Sequence, residues 1–132
     1  MTAPTLRRYL TQNSFDPDLV FLLEDIASAA RLIAGLVRRG AFEGNLGAAG
    51  EINVQGEAQK TLDIMANDVF ERECANSPRV AALVSEEVEE VTWLKEPQKG
   101  DYLLYFDPLD GSSNLDVNLS VGSIFSVMQV QA

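Results

Sequence analysis

Histidine is absent from this 132-residue sequence, and cysteine and tryptophan occur once each. Without histidine, a Ser-His-Asp triad is excluded within the chain. With one cysteine and no imidazole, a zinc site is not expected. Cys74 alone excludes an intrachain disulfide and fits a reducing cytoplasm. No apolar run approaches the ~20 residues of a membrane helix. Met1 to Ser14 holds Arg7, Arg8 and Tyr9 but no apolar core, so a secretory signal is not expected. Positive charge is also scarce, with 10 Lys and Arg against 20 Asp and Glu and a net charge of −10. That balance repels a polyanion and excludes a basic nucleic-acid footprint. None of the cations lies in residues 100–132, where Asp101, Asp107, Asp110 and Asp116 remain. A phosphate held in that stretch needs cations from elsewhere, and divalent metals are the economical source.

What is present is an ordinary globular balance, 46% hydrophobic and 23% charged, enough for one domain with a core. Asp16-Pro17-Asp18 reads as a helix start, with Asp16 as cap and Pro17 at the first helical position. Leu19, Leu22, Leu23, Ile26, Ala29, Ala30, Ile33, Leu36 and Val37 follow helical spacing, and Gly40 is expected to end the helix. Gly40 to Gly56 holds five of the nine glycines and reads as a loop. Glu57 to Cys74 reads as a second helix, stopped by Asn76-Ser77-Pro78. Val80–Ser85, Tyr102–Phe106 and Val121–Val130 read as strands. Helices first and strands after predict an α/β or α+β layered domain.

Two of these strands end in carboxylates: Glu86-Glu87 after the first, and Asp107-Pro108-Leu109-Asp110-Gly111-Ser112-Ser113 after the second. Ligands of open α/β sheets bind beyond strand ends. Carboxylates gathered there repel unless a cation lies between them, and oxygen-only donors suit magnesium or manganese. Read singly, each stretch has a plainer meaning. Glu86 to Glu90 is a solvated acidic run, and Asp-Pro suits the opening of a type I turn. A calcium loop fails because Phe106 and Pro108 occupy two of its acidic positions, and no Gly-Lys-Ser/Thr phosphate loop exists.

Taken together, Asp107 to Asn114 resembles the signature of the lithium-sensitive, magnesium-dependent sugar and inositol phosphatases. Asn53-Val54-Gln55-Gly56-Glu57 with Gln59, Leu62, Asp63 and Asn67 narrows the resemblance to the class I fructose-1,6-bisphosphatases. Val84-Ser85-Glu86-Glu87 and Ser120-Val121-Gly122-Ser123-Ile124-Phe125 do the same. The resemblance implies a layered α-β-α-β-α fold, of which this chain would be the front part, with the C-terminal domain absent. It implies that Glu86, Asp107, Asp110, the carbonyl of Leu109 and, on a mobile loop, Glu57 bind metal. It implies that Glu87 and Asp63 orient or deprotonate the attacking water, and that Asp110, Gly111, Ser112 and Ser113 contact the substrate phosphate. Read as helix surface alone, Asp63 would be merely solvated. Mg2+, replaceable by Mn2+, is the implied cofactor.

The implied activity is hydrolysis of the 1-phosphate of fructose 1,6-bisphosphate by a cytoplasmic homo-oligomer, dimer or tetramer, when full length. The alternatives are a sedoheptulose-1,7-bisphosphatase or dual-specificity relative, or a non-catalytic metal-binding fragment. The 132-residue chain by itself is expected to be inactive. One departure from the family pattern stands out. A Gly-Thr-Gly-Glu-like turn that helps bind the inhibitor AMP is replaced by Asn13-Ser14-Phe15-Asp16-Pro17-Asp18, so AMP inhibition is not expected.

Overall fold

A computed structural model describes residues 2–42, 52–117 and 120–132. The order is α1 (Leu6–Gln12), α2 (Pro17–Phe42), α3 (Ile52–Cys74), β1 (Val80–Ser85), β2 (Thr92–Trp93), β3 (Tyr102–Asp110), a 3-10 turn (Ser112–Val117) and β4 (Gly122–Gln129). The strands form one mixed sheet in the order β2-β1-β3-β4. β1 and β3 run parallel, and β2 and β4 pair antiparallel at the two edges. This is the α/β arrangement of helices followed by a mixed sheet that the sequence predicts.

The apolar stripe of α2 does what its spacing predicts: Leu22, Ile26, Ala29 and Ile33 are buried. They meet Leu62, Ala66, Val69 and Phe70 of α3 over Val80, Leu83, Leu104 and Phe106 of the sheet. At the centre the Phe70 and Phe106 rings stack, with centroids 4.3 Å apart and planes 10° from parallel. Burying a side chain of this size contributes about 1.5–3 kcal/mol. The opposite face of the sheet is bare among the described residues. There the register sets Leu103 beside Met128 and Tyr105 beside Ser126, and Met128 and Ile124 stay more than half exposed. The helical layer and this sheet account for two of the layers expected from the sequence.

The Asp16 cap forms as predicted, its Oδ1 accepting the Asp18 N–H at 2.9 Å. The same carboxylate accepts from Arg79 at 3.1 Å and from the Tyr102 hydroxyl at 2.9 Å, and Arg79 lies 3.6 Å from Asp18. The start of α2 is thereby tied to the strands it packs on. These donors, led by the Asp18 amide and Tyr102, hold the Asp16 carboxyl below its usual range.

Three boundaries differ from expectation. α2 runs through Gly40 to Phe42, because one glycine costs a helix only about 1 kcal/mol and propagation is cheap once a long helix exists. α3 begins at Ile52, so Ile52 to Gly56 are helical where a loop was expected; residues 43–51 of that loop lie outside the described residues. β3 continues past Phe106 to Asp110, so Asp107-Pro108 is strand and not the opening of a turn. Pro108 is accommodated at a register shift between Asp107 and Asp110, where a missing N–H does no harm. α1, β2 and the 3-10 turn had no sequence signal beyond short local patterns. Arg7 of α1 makes only an exposed pair with Glu24.

Candidate active site

The parallel pairing of β1 and β3 sets Ser85 against Phe106, and the Glu86 N–H donates to the Phe106 carbonyl at 2.9 Å. One register step further, Glu86 stands beside Asp107. β1 and β3 run the same way, so the carboxylates that follow their last paired residues collect at one end of the sheet. One oxygen each from Glu86, Glu87 and Asp107 lie within 4.8 Å of one another. Glu86 and Glu87 are exposed and Asp107 is half-buried, with its Oδ1 accepting the Leu109 N–H at 3.2 Å.

α3 brings a fourth carboxylate to this end. Asp63 Oδ2 accepts a hydrogen bond from Ser112 Oγ at 3.2 Å, and Gln59 Nε2 donates to the same hydroxyl at 3.4 Å. Asp63 Oδ1 is buried with no partner among the described residues. An acceptor left without a donor costs free energy unless a ligand, ion or water meets it. Burial raises the Asp63 carboxyl, opposed by the Ser112 bond and reinforced by the Glu86 charge. Glu87 is raised by loss of hydration and then by Asp63, Glu86 and Asp107. Burial likewise raises Asp107, against its Leu109 bond, and Glu86, Asp110 and Asp63 push in the same direction. Burial leads all three shifts, and the mutual repulsion that adds to it is the part a bound cation would relieve.

The remaining sequence-predicted residues lie outside this tight group. Asp110 acts on Asp107 through its charge but stands outside the tight group, as does the exposed Glu57. Leu109 buries its side chain in the core. Gly111 has φ +80°, where a side chain is disfavoured, and an added Cβ would come 3.3 Å from the Ser120 carbonyl. Ser112 reaches Asp63, and Ser113 is exposed. Glu87, expected to serve the water, sits in the tight oxygen group itself. Sequence reasoning had assigned no part to Gln59, Asn67 or Ser85 individually, although all three fall within the quoted motifs. Cys74, at the end of α3, is fully buried, and its thiol is pushed up to about 12, an inert core group.

The donors suit a hard divalent cation. They are oxygen only, clustered, and accompanied by an orphaned buried oxygen. No helix of the described residues is long and apolar enough to cross a membrane.

The family model described as Fructose-1-6-bisphosphatase, N-terminal domain, matches residues 5–132. A relative named fructose-1,6-bisphosphatase class 1 from Methylobacillus flagellatus is 48% identical over 117 residues, covering 89% of this chain and 35% of the relative. One of the same name from Halorhodospira halophila is 51% identical over 109 residues, covering 82% of this chain and 32% of the relative. The chain thus spans about a third of the length of these curated relatives. Among solved structures, the holo form of Leishmania major fructose-1,6-bisphosphatase superposes on the whole of this chain and 40% of its own, with a TM-score of 0.80 and 36% identity. The chain belongs to the fructose-1,6-bisphosphatase family, matching the part described as its N-terminal domain.

Proposed function

We propose that this segment supplies the acidic half of an active site that hydrolyses the 1-phosphate of fructose 1,6-bisphosphate to fructose 6-phosphate and phosphate. The observation that carries the reading is the convergence of Glu86, Glu87 and Asp107 oxygens within 4.8 Å where the parallel pairing of β1 and β3 ends. Glu86, Glu87 and Asp107 would hold Mg2+ or Mn2+, with Asp110, the Leu109 carbonyl and Glu57 adjoining. Such ions neutralise the phosphate and the acidic cluster and make a bound water easier to deprotonate.

The chain's own residues do the rest. Asp63 Oδ1, which has no donor among the described residues, would accept a proton from water, while Ser112 fixes the carboxylate through Oδ2. A carboxyl raised above its ordinary value is better matched to that task than an ordinary aspartate. Gly111 lets the backbone N–H groups of Ser112 and Ser113 come close to phosphate oxygens. No protein nucleophile is needed, because phosphoryl transfer asks mainly for positioning and charge stabilisation. The bare sheet face with Tyr105, Ile124 and Met128 is consistent with cover by further chain or by another subunit of a homo-oligomer. The buried free thiol of Cys74 is compatible with a cytoplasmic setting.

The test is phosphate release by the full-length protein with Mg2+ or Mn2+, the product being identified by phosphorus NMR. Fructose 6-phosphate as product supports the reading. Faster release from sedoheptulose 1,7-bisphosphate would reassign the substrate, and no metal-dependent release from either sugar would overturn the reading.

A further inference from the structure

Among the described residues, buried polar side chains are few: Asn67, Ser77, Ser85 and Asp101. Two of them, Asn67 on α3 and Ser85 at the end of β1, are each 6% exposed and bond to one another. The Ser85 hydroxyl donates to Asn67 Oδ1 at 2.5 Å and accepts the Glu87 N–H at 3.2 Å. Its carbonyl accepts the Val88 N–H at 3.4 Å, closing a turn over Ser85 to Val88. Burying such a pair in an apolar layer gains little by itself. Net hydrogen-bond stabilisation is about 1 kcal/mol, and apolar groups of like shape would pack there at little loss. The pair's distinctive product is the direction in which the chain leaves β1. The Glu86 amide is fixed to the Phe106 carbonyl, and the Glu87 amide is fixed to Ser85.

We propose that Asn67 and Ser85 are positioning residues that hold Glu86 and Glu87 in the geometry a divalent cation requires, an inference that rests on the metal-dependent reading above. Asn67 lies four residues beyond Asp63, so one face of α3 presents both. Asp63 bonds Ser112 and acts on the acidic centre through its charge, and Asn67 reaches that centre through Ser85 and the Glu87 amide. α3 therefore sets the spacing between Asp63 and the two glutamates as a unit. Outer groups that orient ligating side chains cost about 10–100-fold in metal affinity when removed.

The experiment is a Mn2+ titration of the full-length protein, with free Mn2+ counted by electron paramagnetic resonance and unfolding temperatures measured in chelator. Ser85→Ala and Asn67→Ala should each weaken Mn2+ binding about tenfold or more. The double variant should bind no worse than Ser85→Ala, because Asn67 acts through the hydroxyl. Ser85→Thr keeps Oγ and should stay close to wild type. If Ser85→Ala does not fold, Asn67→Ala carries the test, since it removes only the tether to α3. Wild-type affinity in Ser85→Ala or Asn67→Ala, with only a lowered unfolding temperature, would show a structural pair and overturn the inference alone. Absence of Mn2+ binding by the wild type, or unchanged binding in Glu86→Gln and Asp107→Asn, would overturn the metal reading and the inference with it.

Discussion

Replacing Asp107 by Asn should stabilise the metal-free protein while removing its response to metal. Asn keeps the Oδ1 acceptor that receives the Leu109 N–H at 3.2 Å, so the local backbone is preserved. What disappears is one negative charge beside Glu86 and Glu87. At the 4.8 Å limit of their separation, two unit charges repel by about 1 kcal/mol in water and about 3.5 kcal/mol at an effective permittivity of 20. Glu86 and Glu87 are exposed, so solvent screening places the gain near the lower figure, about 1–2 kcal/mol for the two pairs together. Urea unfolding at pH 7 in chelator and low salt measures it, and molar NaCl should erase most of the gain, since the Debye length is then only ~3 Å. With Mg2+ the order should reverse. The wild type gains about 2.7 kcal/mol at a hundredfold excess over Kd, and the variant gains much less. A variant that is less stable than wild type in chelator, or equally stabilised by Mg2+, would refute this account of the cluster.

Three further outcomes follow from the same structure. Because Asp63, Glu87 and Asp107 are raised in the folded state, their contribution to metal-free stability is full below the ordinary carboxylate values near ~4 and is lost as pH rises through the raised ones; unfolding in chelator across this range should show the decline, flattened in Asp107→Asn. Gly35→Ala should raise stability by about 0.5–1 kcal/mol, since the added Cβ on α2 meets no atom within 4 Å; calorimetry reads the shift, and a lowered unfolding temperature would count against the helix as described. AMP should inhibit the full-length protein weakly or not at all, because the start of α2 is already capped by Asp16 and its acidic turn is held by Arg79; an inhibition curve with a micromolar midpoint would contradict this.

Much of this molecule was legible in its sequence, for physical reasons that also mark where reading failed. The stripe from Leu22 to Ile33 announced α2 because helical burial repeats with the helix. The short apolar runs before Glu86 and Asp107 announced two buried strands. Their parallel register, which turns separate acidic stretches into one cluster, is a tertiary fact that periodicity does not encode. Gly40 and the glycines near residue 56 misled, since a glycine marks a helix end only where nothing longer-range favours continuation. Asp107-Pro108 looked like a turn because local propensity cannot see the β4 partner that keeps it in a strand. Asp63 was the hardest case. Helix periodicity alone suggested a solvated residue, the family resemblance gave it a part in activating water, and packing against Ser112 shows a half-buried carboxylate with one buried oxygen.

The most direct test of the central claim is the turnover of fructose 1,6-bisphosphate by full-length wild type and Asp107→Asn at saturating substrate and limiting Mg2+. Asp107 sits in the oxygen cluster, and the substitution keeps volume and a hydrogen bond while removing charge. In Asp107→Asn kcat should fall by orders of magnitude while the variant stays folded and at least as stable as wild type without metal. Near wild-type kcat in that variant would contradict it.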